Sequence, residues 1–299
     1  MALHESKTKE LQLKANLIRL TIIEALVEAG SGHSAGPLGM ADIFTYLYFY
    51  ALRHDPKKPD WPERDRLVLS NGHICPVLYA TMAEAGYVPV EEYKKTLRKF
   101  GSKFQGHPHR DFLPSLETSS GPLGSGLSQA VGMAIAERID AGRSYKKWIY
   151  CLMSDGEHDC GNTWEGAMLA GKEKLGNLIA IVDRNNIQID GFTEDIMPLE
   201  PFADKYKAFN WHVQEIDGHN FNAIDEAVNR AKAVFDQPSV IIARTIPGKG
   251  VSYMERDYKW HGTPPGVSDM PGEPPKAEQV KIALDELRTL GGKIKSEHQ

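Results

Sequence analysis

Short apolar segments that alternate with longer helical ones constrain the fold of this chain more than any other feature of its sequence. Compact runs rich in β-branched or aromatic residues predict strands at 66–70, 148–153, 178–182, 212–216 and 239–243. Helical spacing of apolar residues predicts helices at 11–29, 39–51, 130–141, 163–175 and 222–235. Nearly continuous apolar strands are typical of a sheet buried on both faces. The predicted fold class is therefore α/β, with a doubly wound, mostly parallel sheet and helices on both faces.

Two stretches rich in Gly, Pro and His, at 101–126 and 247–274, interrupt this alternation. Long irregular segments inside an α/β domain are more often functional loops than simple connections. After Pro275 the pattern predicts one more helix, at 278–290, and a polar end. We therefore expect one domain over residues 1–275 and a C-terminal helical extension over residues 276–299.

Composition excludes several classes of protein. The net charge of −5 leaves no basic surplus to neutralise the phosphates of a nucleic acid. No apolar run is long enough for a transmembrane helix, and the first ten residues contain no apolar signal-peptide core. Cys75, Cys151 and Cys160 form no C-x-x-C pair, which argues against zinc and against a disulfide framework. We expect a cytoplasmic protein that binds neither membranes nor nucleic acids.

Polar residues follow two of the predicted strands, and they indicate a metal site. Asp155 and Gly156 come directly after one strand, and Asn185 follows the next. A right-handed crossover would bring both strand ends to the edge where open α/β sheets bind ligands. Oxygen ligands of this kind suit Mg²⁺ or Ca²⁺ better than zinc, and Gly156 would let a phosphate approach the backbone. The residues alone leave a second interpretation open, in which Asp155 caps a helix and Asn185 lies in a turn.

The segment over 154–186, SDGEHDCGNTWEGAMLAGKEKLGNLIAIVDRNN, resembles the thiamine diphosphate signature, although Ser154 replaces its first glycine. Further segments resemble transketolases in the same order: SGHSAGPLG at 31–39, RLVLSNGH at 66–73, GHP at 106–108, SSGPLGSGLSQAVGMA at 119–134 and GKGVSYMERDYKWHG at 248–262. A glycine-rich loop alone is a weak signal, and Gln129 breaks the dinucleotide fingerprint. Together the segments resemble the N-terminal, diphosphate-binding part of a transketolase.

This resemblance implies a set of cofactor ligands. The metal ligands would be Asp155, Asn185 and the backbone carbonyl of Ile187, and the metal would bridge to the diphosphate of thiamine diphosphate. Gly156 would lie next to that diphosphate. Gly121 and Leu123 would offer backbone groups to the aminopyrimidine ring.

The resemblance also implies that four histidines, His33, His73, His107 and His261, line the cofactor and the substrate channel. Histidine suits this chemistry because its pKa lies near neutrality, so it can donate hydrogen bonds or carry protons. His73 and His107 would lie nearest the thiazolium, and His261 would also reach the diphosphate. The remaining candidates without motif support, namely His54, His109, His158 and His219, are expected on the surface or in loops.

One departure from the family concerns the interface between cofactor sites. Transketolases carry a Glu five residues after the metal-binding Asp, and this chain has Cys160 there. A thiol does not replace that charge at neutral pH unless its pKa is strongly depressed. Glu165, which the family also uses near this interface and the cofactor, is retained.

By the same resemblance, a complete transketolase has further domains, including the one with the catalytic glutamate, and we expect this sequence to cover only the first domain. The resemblance therefore implies a separate C-terminal subunit that carries the pyrimidine-binding domain. Two copies of each chain would form a heterotetramer with sites at subunit interfaces. The assembly would transfer a two-carbon ketol unit from a ketose phosphate to an aldose phosphate.

Three other interpretations remain. The alpha subunit of a 2-oxoacid dehydrogenase would share Asp155 and Asn185 but would not be expected to carry the GHP and GPLG loops. A transketolase relative could act on a branched or sulfonated ketose, because acceptor contacts lie largely on the partner. A non-catalytic subunit agrees least with the sequence, because a subunit without cofactor chemistry would not need Asp155, Asn185 and His73, and all three are present.

Overall fold

A central sheet of five parallel strands organises the molecule, whose computed structural model describes residues 3–141 and 146–289. The strands lie in the order β1-β2-β3-β7-β6. Their bounds are Arg66–Leu69 (β1), Ile149–Ser154 (β2), Leu178–Arg184 (β3), His212–Asp217 (β6) and Ser239–Arg244 (β7). A separate antiparallel hairpin joins β4 (Ile187–Gln188) to β5 (Gly191–Phe192). The parallel sheet with its flanking helices confirms the predicted fold class.

Helices cover both faces of this sheet. Their bounds are Glu5–Ala29 (α1), Ala35–Tyr46 (α2), Cys75–Glu84 (α3), Val90–Thr96 (α4), Ser125–Ala141 (α5), Gly161–Glu173 (α6), Thr193–Ile196 (α7), Phe202–Ala208 (α8), Phe221–Lys232 (α9) and Lys276–Thr289 (α10). The helix predicted at 39–51 begins earlier, and its end, Leu47–Ala51, is wound as a π-helix. No helix within the described ranges is long and apolar enough to cross a membrane.

Alternate side chains of the central strands supply two separate cores. In β2, Tyr150 and Leu152 pack into a core with residues of α1, α2, α3 and α9. Cys151 and Met153 point the other way, into a core with residues of α5, α6 and α8. Because successive side chains of a strand face opposite sides, burial of both faces requires an apolar residue at nearly every position. This explains why the strands do not alternate between apolar and polar residues.

The last described helix, α10, packs against the first. The side-chain amide of Asn16 on α1 donates to the carbonyl oxygen of Leu287 at 2.6 Å. Ala283 and Leu287 are fully buried and belong to the same core as α1. The helix of the predicted C-terminal extension therefore lies on the core of the preceding domain, and residues 290–299 of that extension lie outside the described ranges.

Two glycines in the neighbouring helices α5 and α6 allow a matched test of how closely α6 packs against the backbone near Phe209. A Cβ at Gly171 of α6 would lie 1.8 Å from the carbonyl oxygen of Phe209, whereas a Cβ at Gly132 of α5 would meet no atom within 4 Å. We expect Gly171→Ala to lower the free energy of unfolding by about 1–3 kcal/mol, because backbone atoms must move. Gly132→Ala should raise it by about 0.5–1 kcal/mol, because alanine favours the helix. Urea unfolding measures both, and a destabilised Gly132→Ala or an unaffected Gly171→Ala would contradict this account.

Candidate active site

A cavity of about 350 Å³ lies at the carboxyl edge of the sheet, where β2 and β3 end. It is lined by residues from seven separate parts of the chain: His33, Gly36, His73, His107, Gly121, Leu123, Ser154, Gly156, Asn185, Ile187, Gln188, Ile189 and His261. The structure thus brings all four predicted histidines together with most of the predicted cofactor residues.

Three of these histidines form a triangle of rings. The ring centroids of His33 and His73 are 4.9 Å apart, those of His33 and His261 5.2 Å, and those of His73 and His261 5.1 Å. The hydroxyl of Ser34, next to His33, lies 2.9 Å from the carbonyl oxygen of Trp260, next to His261. Nδ1 of His33 and Nδ1 of His261 are buried and have no hydrogen-bond partner among the described residues. The cluster therefore retains polar atoms that a ligand can satisfy.

Burial keeps these histidines neutral near physiological pH. It lowers the pKa of His33 to about 4, with further lowering from His261 and Arg98. It also lowers the pKa of His73 well below its ordinary value and lowers that of His261. For His107 burial again lowers the pKa most, followed by the charge of Arg98. Each neutral ring offers one donor and one acceptor nitrogen, which suits hydrogen bonding to the oxygen atoms of a ligand.

Glycine allows the loops around His73 and His107 to meet. A Cβ at Gly72 would lie 2.5 Å from the hydroxyl oxygen of Ser120, and one at Gly121 would lie 3.8 Å from the ring of His107. Any larger residue at position 72 would push the 119–126 loop away. This close approach places His73, His107 and Gly121 on one wall of the cavity.

Register between two strands brings the predicted metal ligands together. Ser154 pairs with Asp183 across β2 and β3, so that Asp155 and Asn185 leave the same edge. Oδ2 of Asp155 accepts a hydrogen bond from the backbone N–H of Asn186 at 2.7 Å. Oδ1 of Asn185 accepts from the backbone N–H of Ile187 at 3.0 Å, and its amide nitrogen donates to Asp183 at 2.8 Å. These bonds fix Asn185 at the floor of the cavity and Asp155 just behind that floor.

A residue that the sequence analysis missed, Arg184, lies beneath this floor. Its guanidinium is 3.2 Å from Asp155 and also pairs with Glu194 and Glu200. Burial raises the pKa of Asp155 to about 6 although Arg184 lowers it, and burial raises the pKa of Asp183 to about 7. The single guanidinium thus does not fully offset the cost of burying these carboxyl groups. A divalent cation at the floor would lower both pKa values.

The residues present fit a hard divalent cation and a diphosphate. No group of three or more His, Cys, Asp or Glu side chains in the described part of the chain could hold a metal. The predicted ligand set is of another kind, with one carboxylate, one amide and one backbone carbonyl, all oxygen donors. Asn185, Ile187 and Gly156 line the cavity. A Cβ at Gly156 would approach only Gln188, at 3.7 Å, so open space lies beside this backbone.

Two predicted site residues, Asp155 and Glu165, do not reach the cavity wall, and neither does Cys160. Asp155 is fully buried just behind it, where Gly156 donates a backbone hydrogen bond to its Oδ1 at 2.8 Å. Glu165 lies on the exposed face of α6, away from the lining residues. Cys160 precedes α6, and a Cβ at Gly124 would lie 3.0 Å from its Cβ. Burial raises the pKa of Cys160, so the thiol stays protonated near neutral pH.

The expected surface or loop position was wrong for His158, whereas His219 does lie in the turn between β6 and α9. His158 is buried, with Nδ1 at 2.9 Å from the carbonyl oxygen of Ser154 and Nε2 at 2.7 Å from the hydroxyl of Tyr206. His219 lies 2.7 Å from Asp42 through Nδ1, and its Nε2 accepts from the backbone of Ile246. His158 therefore braces the turn that carries Asp155. Its partner Tyr206 lies on a helix far along the chain, so no local signal predicts this burial.

Comparison with known proteins agrees with this geometry. The family profile described as "Transketolase, thiamine diphosphate binding domain" matches residues 11–273. The chain belongs to the transketolase family. This membership confirms the family predicted from the motifs.

Among transketolase relatives, the chain is 46% identical over 252 residues to the 6-deoxy-6-sulfo-D-fructose transketolase subunit SqwG of Clostridium sp. (strain MSTE9), covering 84% of this chain and 90% of that one. It is 40% identical to an apulose-4-phosphate transketolase subunit of Phocaeicola vulgatus, covering 98% of each. Transketolase 2 of Escherichia coli is 42% identical over 86% of this chain. These relatives confirm the predicted transketolase class and the similarity to one chain of a divided enzyme.

Solved transketolase structures share the fold. A transketolase from Pichia stipitis superposes with a TM-score of 0.83 at 35% identity, over 94% of this chain. One from Leishmania mexicana gives a TM-score of 0.84 at 32% identity, over 97% of this chain. The chain spans only 41% and 42% of those two structures and 39% of the Escherichia coli enzyme.

The buried imidazole of His158 gives a test of the bracing contact. Burial lowers its pKa to about 4, so between about pH 6.5 and pH 4 the unfolded chain binds a proton that the folded chain does not. Stability linked to His158 is thus present above about pH 6.5 and is lost as the pH falls. The unfolding free energy of the wild type should fall as the pH is lowered over this range. In His158→Gln we expect this fall to be smaller, by up to about 1.4 kcal/mol per pH unit. Denaturant unfolding at several pH values measures it, and an unchanged pH slope would refute the assignment.

Proposed function

We propose that this chain binds thiamine diphosphate together with a divalent metal and forms the cofactor-anchoring half of a two-chain transketolase. The assembly would transfer a two-carbon ketol unit from a ketose phosphate to an aldose phosphate in the cytoplasm. The observation that carries the proposal is the single cavity in which four motif histidines face the ends of β2 and β3.

The floor of the cavity would hold the metal and the diphosphate. Asp155 and Asn185, with the carbonyl oxygen of Ile187, would supply the protein ligands, and Mg²⁺ is the proposed metal because all three donors are hard oxygens. Gly156 leaves room for the diphosphate at the start of the segment that follows β2. His261, which also lines the cavity, would donate a hydrogen bond to the same group.

The histidines would serve the reacting sugar. When bound, thiamine diphosphate supplies the carbon nucleophile and electron sink for cleavage and formation of carbon–carbon bonds. His33, His73, His107 and His261 would donate hydrogen bonds to carbonyl and hydroxyl oxygens and hold protons that leave and return. Their lowered pKa values favour the hydrogen-bonding part of this role, because each ring stays neutral near pH 7 and keeps one N–H to donate.

The composition of the cavity wall supports a separate partner chain. None of the described residues that line it is Asp or Glu. The carboxylate that the family uses to activate the aminopyrimidine would therefore come from another chain. Leu123 and Ile189 line the cavity and are 38% and 71% exposed, so apolar surface at the rim is available for that chain to cover. We propose a C-terminal, pyrimidine-binding subunit in a heterotetramer with two copies of each chain, and with Glu165 near the interface.

Similarity to particular relatives favours a second candidate substrate. Two relatives that this chain matches over 90% and 98% of their own length are named for 6-deoxy-6-sulfo-D-fructose and apulose 4-phosphate. A sulfonated or branched ketose is therefore the alternative donor that we propose, with the same cofactor and metal.

Sugar transfer tests the proposed function directly. We expect the chain together with its copurified partner to transfer a two-carbon unit from a ketose phosphate to ribose 5-phosphate in the presence of thiamine diphosphate and Mg²⁺, and the chain alone to be inactive. A coupled assay follows the aldose released. Transfer only from a sulfonated or branched ketose would favour the second candidate. Activity of the isolated chain would refute the need for a partner.

Removal of the proposed metal ligand should weaken cofactor binding. We expect Asp155→Ala to weaken thiamine diphosphate binding in Mg²⁺ by more than the roughly 10–100-fold typical of changes to outer-sphere residues, because a direct ligand is lost. Asp204→Ala, on the exposed face of α8, is the matched control. Titration calorimetry on the assembled enzyme measures both, with circular dichroism to show that each variant is folded. Equal affinity in the two variants would refute the metal assignment.

A further inference from the structure

Two residues of the cavity, His107 and Gly121, lie at the two ends of one irregular excursion of the chain, residues 108–120. The backbone N–H of Ser120 donates to the carbonyl oxygen of Pro108 at 3.0 Å and closes the base of this excursion. Irregular segments whose ends lie close together are called Ω-loops, and we refer to residues 108–120 as the Ω-loop. A Cβ at Gly121 would lie 3.8 Å from the ring of His107. The spacing of these two cavity residues therefore depends on how the Ω-loop is held.

Two kinds of contact hold the Ω-loop. Leu113 and Leu116 are each 5% exposed and pack into the core that contains residues of α1, α2 and α3. Apolar contacts are non-directional, so they retain the loop without fixing its orientation. The carboxylate of Glu117 supplies a directional contact, because each of its oxygens lies 2.9 Å from one terminal nitrogen of Arg64. Nε of Arg66 lies 3.6 Å from the same carboxylate.

The two arginines form a fixed platform for Glu117. The other terminal nitrogen of Arg64 donates to the carbonyl oxygen of Trp61 at 2.9 Å. Arg66 donates from its terminal nitrogens to the carbonyl oxygens of Pro62 and Arg64, at 3.0 and 2.9 Å. The side chains of Arg64 and Glu117 are each 13% exposed, so salt and water screen their attraction only weakly. The ion pair therefore fastens the Ω-loop to the segment that leads into β1.

This ion pair lies at the end of β1 that is remote from the cavity. Arg64 and Arg66 stand at the amino end of the strand, whereas His73 follows its carboxyl end. Over its four residues β1 rises about 10 Å. Only four peptide units lead from Glu117 to Gly121, and they can span at most about 14 Å. A segment this short leaves Gly121 little freedom to move while Glu117 is held.

Stability alone is a poor explanation for a buried ion pair of this kind. Desolvation of the two charges costs about as much free energy as their attraction returns, so apolar side chains of similar volume would stabilise the fold at least as well. Apolar side chains cannot supply the direction of a charge-assisted hydrogen bond, which fixes one side chain relative to another. The geometry that the pair imposes on the Ω-loop is therefore the better explanation.

We propose that Glu117 is a positioning residue, which acts through the Ω-loop to hold His107 and Gly121 at their places in the cavity. Glu117 does not itself line the cavity, so its effect on the reaction passes through these two residues. The assignment rests on the proposed transketolase function, in which His107 serves the reacting sugar and Gly121 the aminopyrimidine. It adds to that site a residue fastened at the far end of β1.

Hydrogen exchange tests the positioning directly. The assembly with the copurified partner is prepared with the wild-type chain and with Glu117→Gln, and exchange is followed by mass spectrometry in peptides that contain Ser120. We expect Glu117→Gln to speed exchange of the Ser120 amide roughly tenfold or more, because its bond to Pro108 opens more often once the loop is released. Wild-type exchange in the folded variant would overturn the assignment.

Glu137→Gln is the matched control for the loss of a buried carboxylate. The side chain of Glu137 is 4% exposed and lies 2.7 Å from Nζ of Lys147. It stands about 18 Å along α5 from Ser125, at the end of the helix away from the cavity. Exchange at Ser120 should keep the wild-type rate in this control. Equal acceleration in the two variants would show a general loosening of the fold and would contradict a specific role for Glu117.

A second variant covers the case in which Glu117→Gln does not fold because Arg64 is left without its partner. Arg64→Met combined with Glu117→Met replaces the ion pair by apolar side chains, a change that folded proteins often tolerate. We expect this double variant to unfold cooperatively in urea and yet to exchange at Ser120 as fast as the single variant. A folded double variant with wild-type exchange would overturn the assignment.

Kinetics tests whether Glu117 acts through His107. At saturating thiamine diphosphate, we expect Glu117→Gln to lower kcat/KM for ketol transfer roughly tenfold to hundredfold, because a displaced group loses its alignment with the substrate. In the His107→Asn background the same change should cost less than about twofold, because residues that act as a unit are not additive. Equal losses in both backgrounds would overturn the role through His107 and leave the proposed function standing. A wild-type assembly that transfers no ketol unit would overturn the proposed function, and exchange at Ser120 would still decide the role of Glu117.

Discussion

The parallel register of β2 and β3 is the constraint on which the rest of the active site depends. Pairing of Ser154 with Asp183 brings two strand ends to the same height, and the backbone N–H of Asn186 reaches Asp155 at 2.7 Å. A shift of one residue would turn each side chain to the opposite face of the sheet. The loops that line the cavity meet at this edge, where oxygen donors that follow two strands converge. The apolar packing on both faces of the sheet holds the register.

Much of the fold and most of the cavity follow from local patterns in the sequence. The five strands of the central sheet come from short apolar runs, and the helices α1, α5, α6 and α9 come from helical spacing. The four histidines of the cavity lie in glycine-rich segments, because glycine allows their loops to pack closely, as at Gly72. Motifs of this kind are local, so a single sequence displays them.

Other features depend on contacts between distant segments, and the sequence does not show them. The ring of His158 is buried against Tyr206, and the two residues lie 48 positions apart. His219 pairs with Asp42 across 177 positions. Arg184 stands inside the cofactor motif, yet its role follows from Glu194 on α7 and Glu200 just before α8. Histidine and arginine occur both on surfaces and in buried networks, and only the tertiary structure distinguishes these cases.

The hydroxyl of Ser34 has a consequence for the order of events in folding. It lies 2.9 Å from the carbonyl oxygen of Trp260 and 2.7 Å from that of Thr263, contacts that span 226 and 229 positions of the chain. The segment that carries His33 and the segment that carries His261 both line the cavity, and the ribosome synthesises them far apart in time. Non-local contacts of this kind form late, because they must first overcome the entropy of closing a long loop. A nascent chain can complete its first helices and strands long before it can capture a ligand, so that occupancy of the site reports that nearly the entire polypeptide has been made and folded.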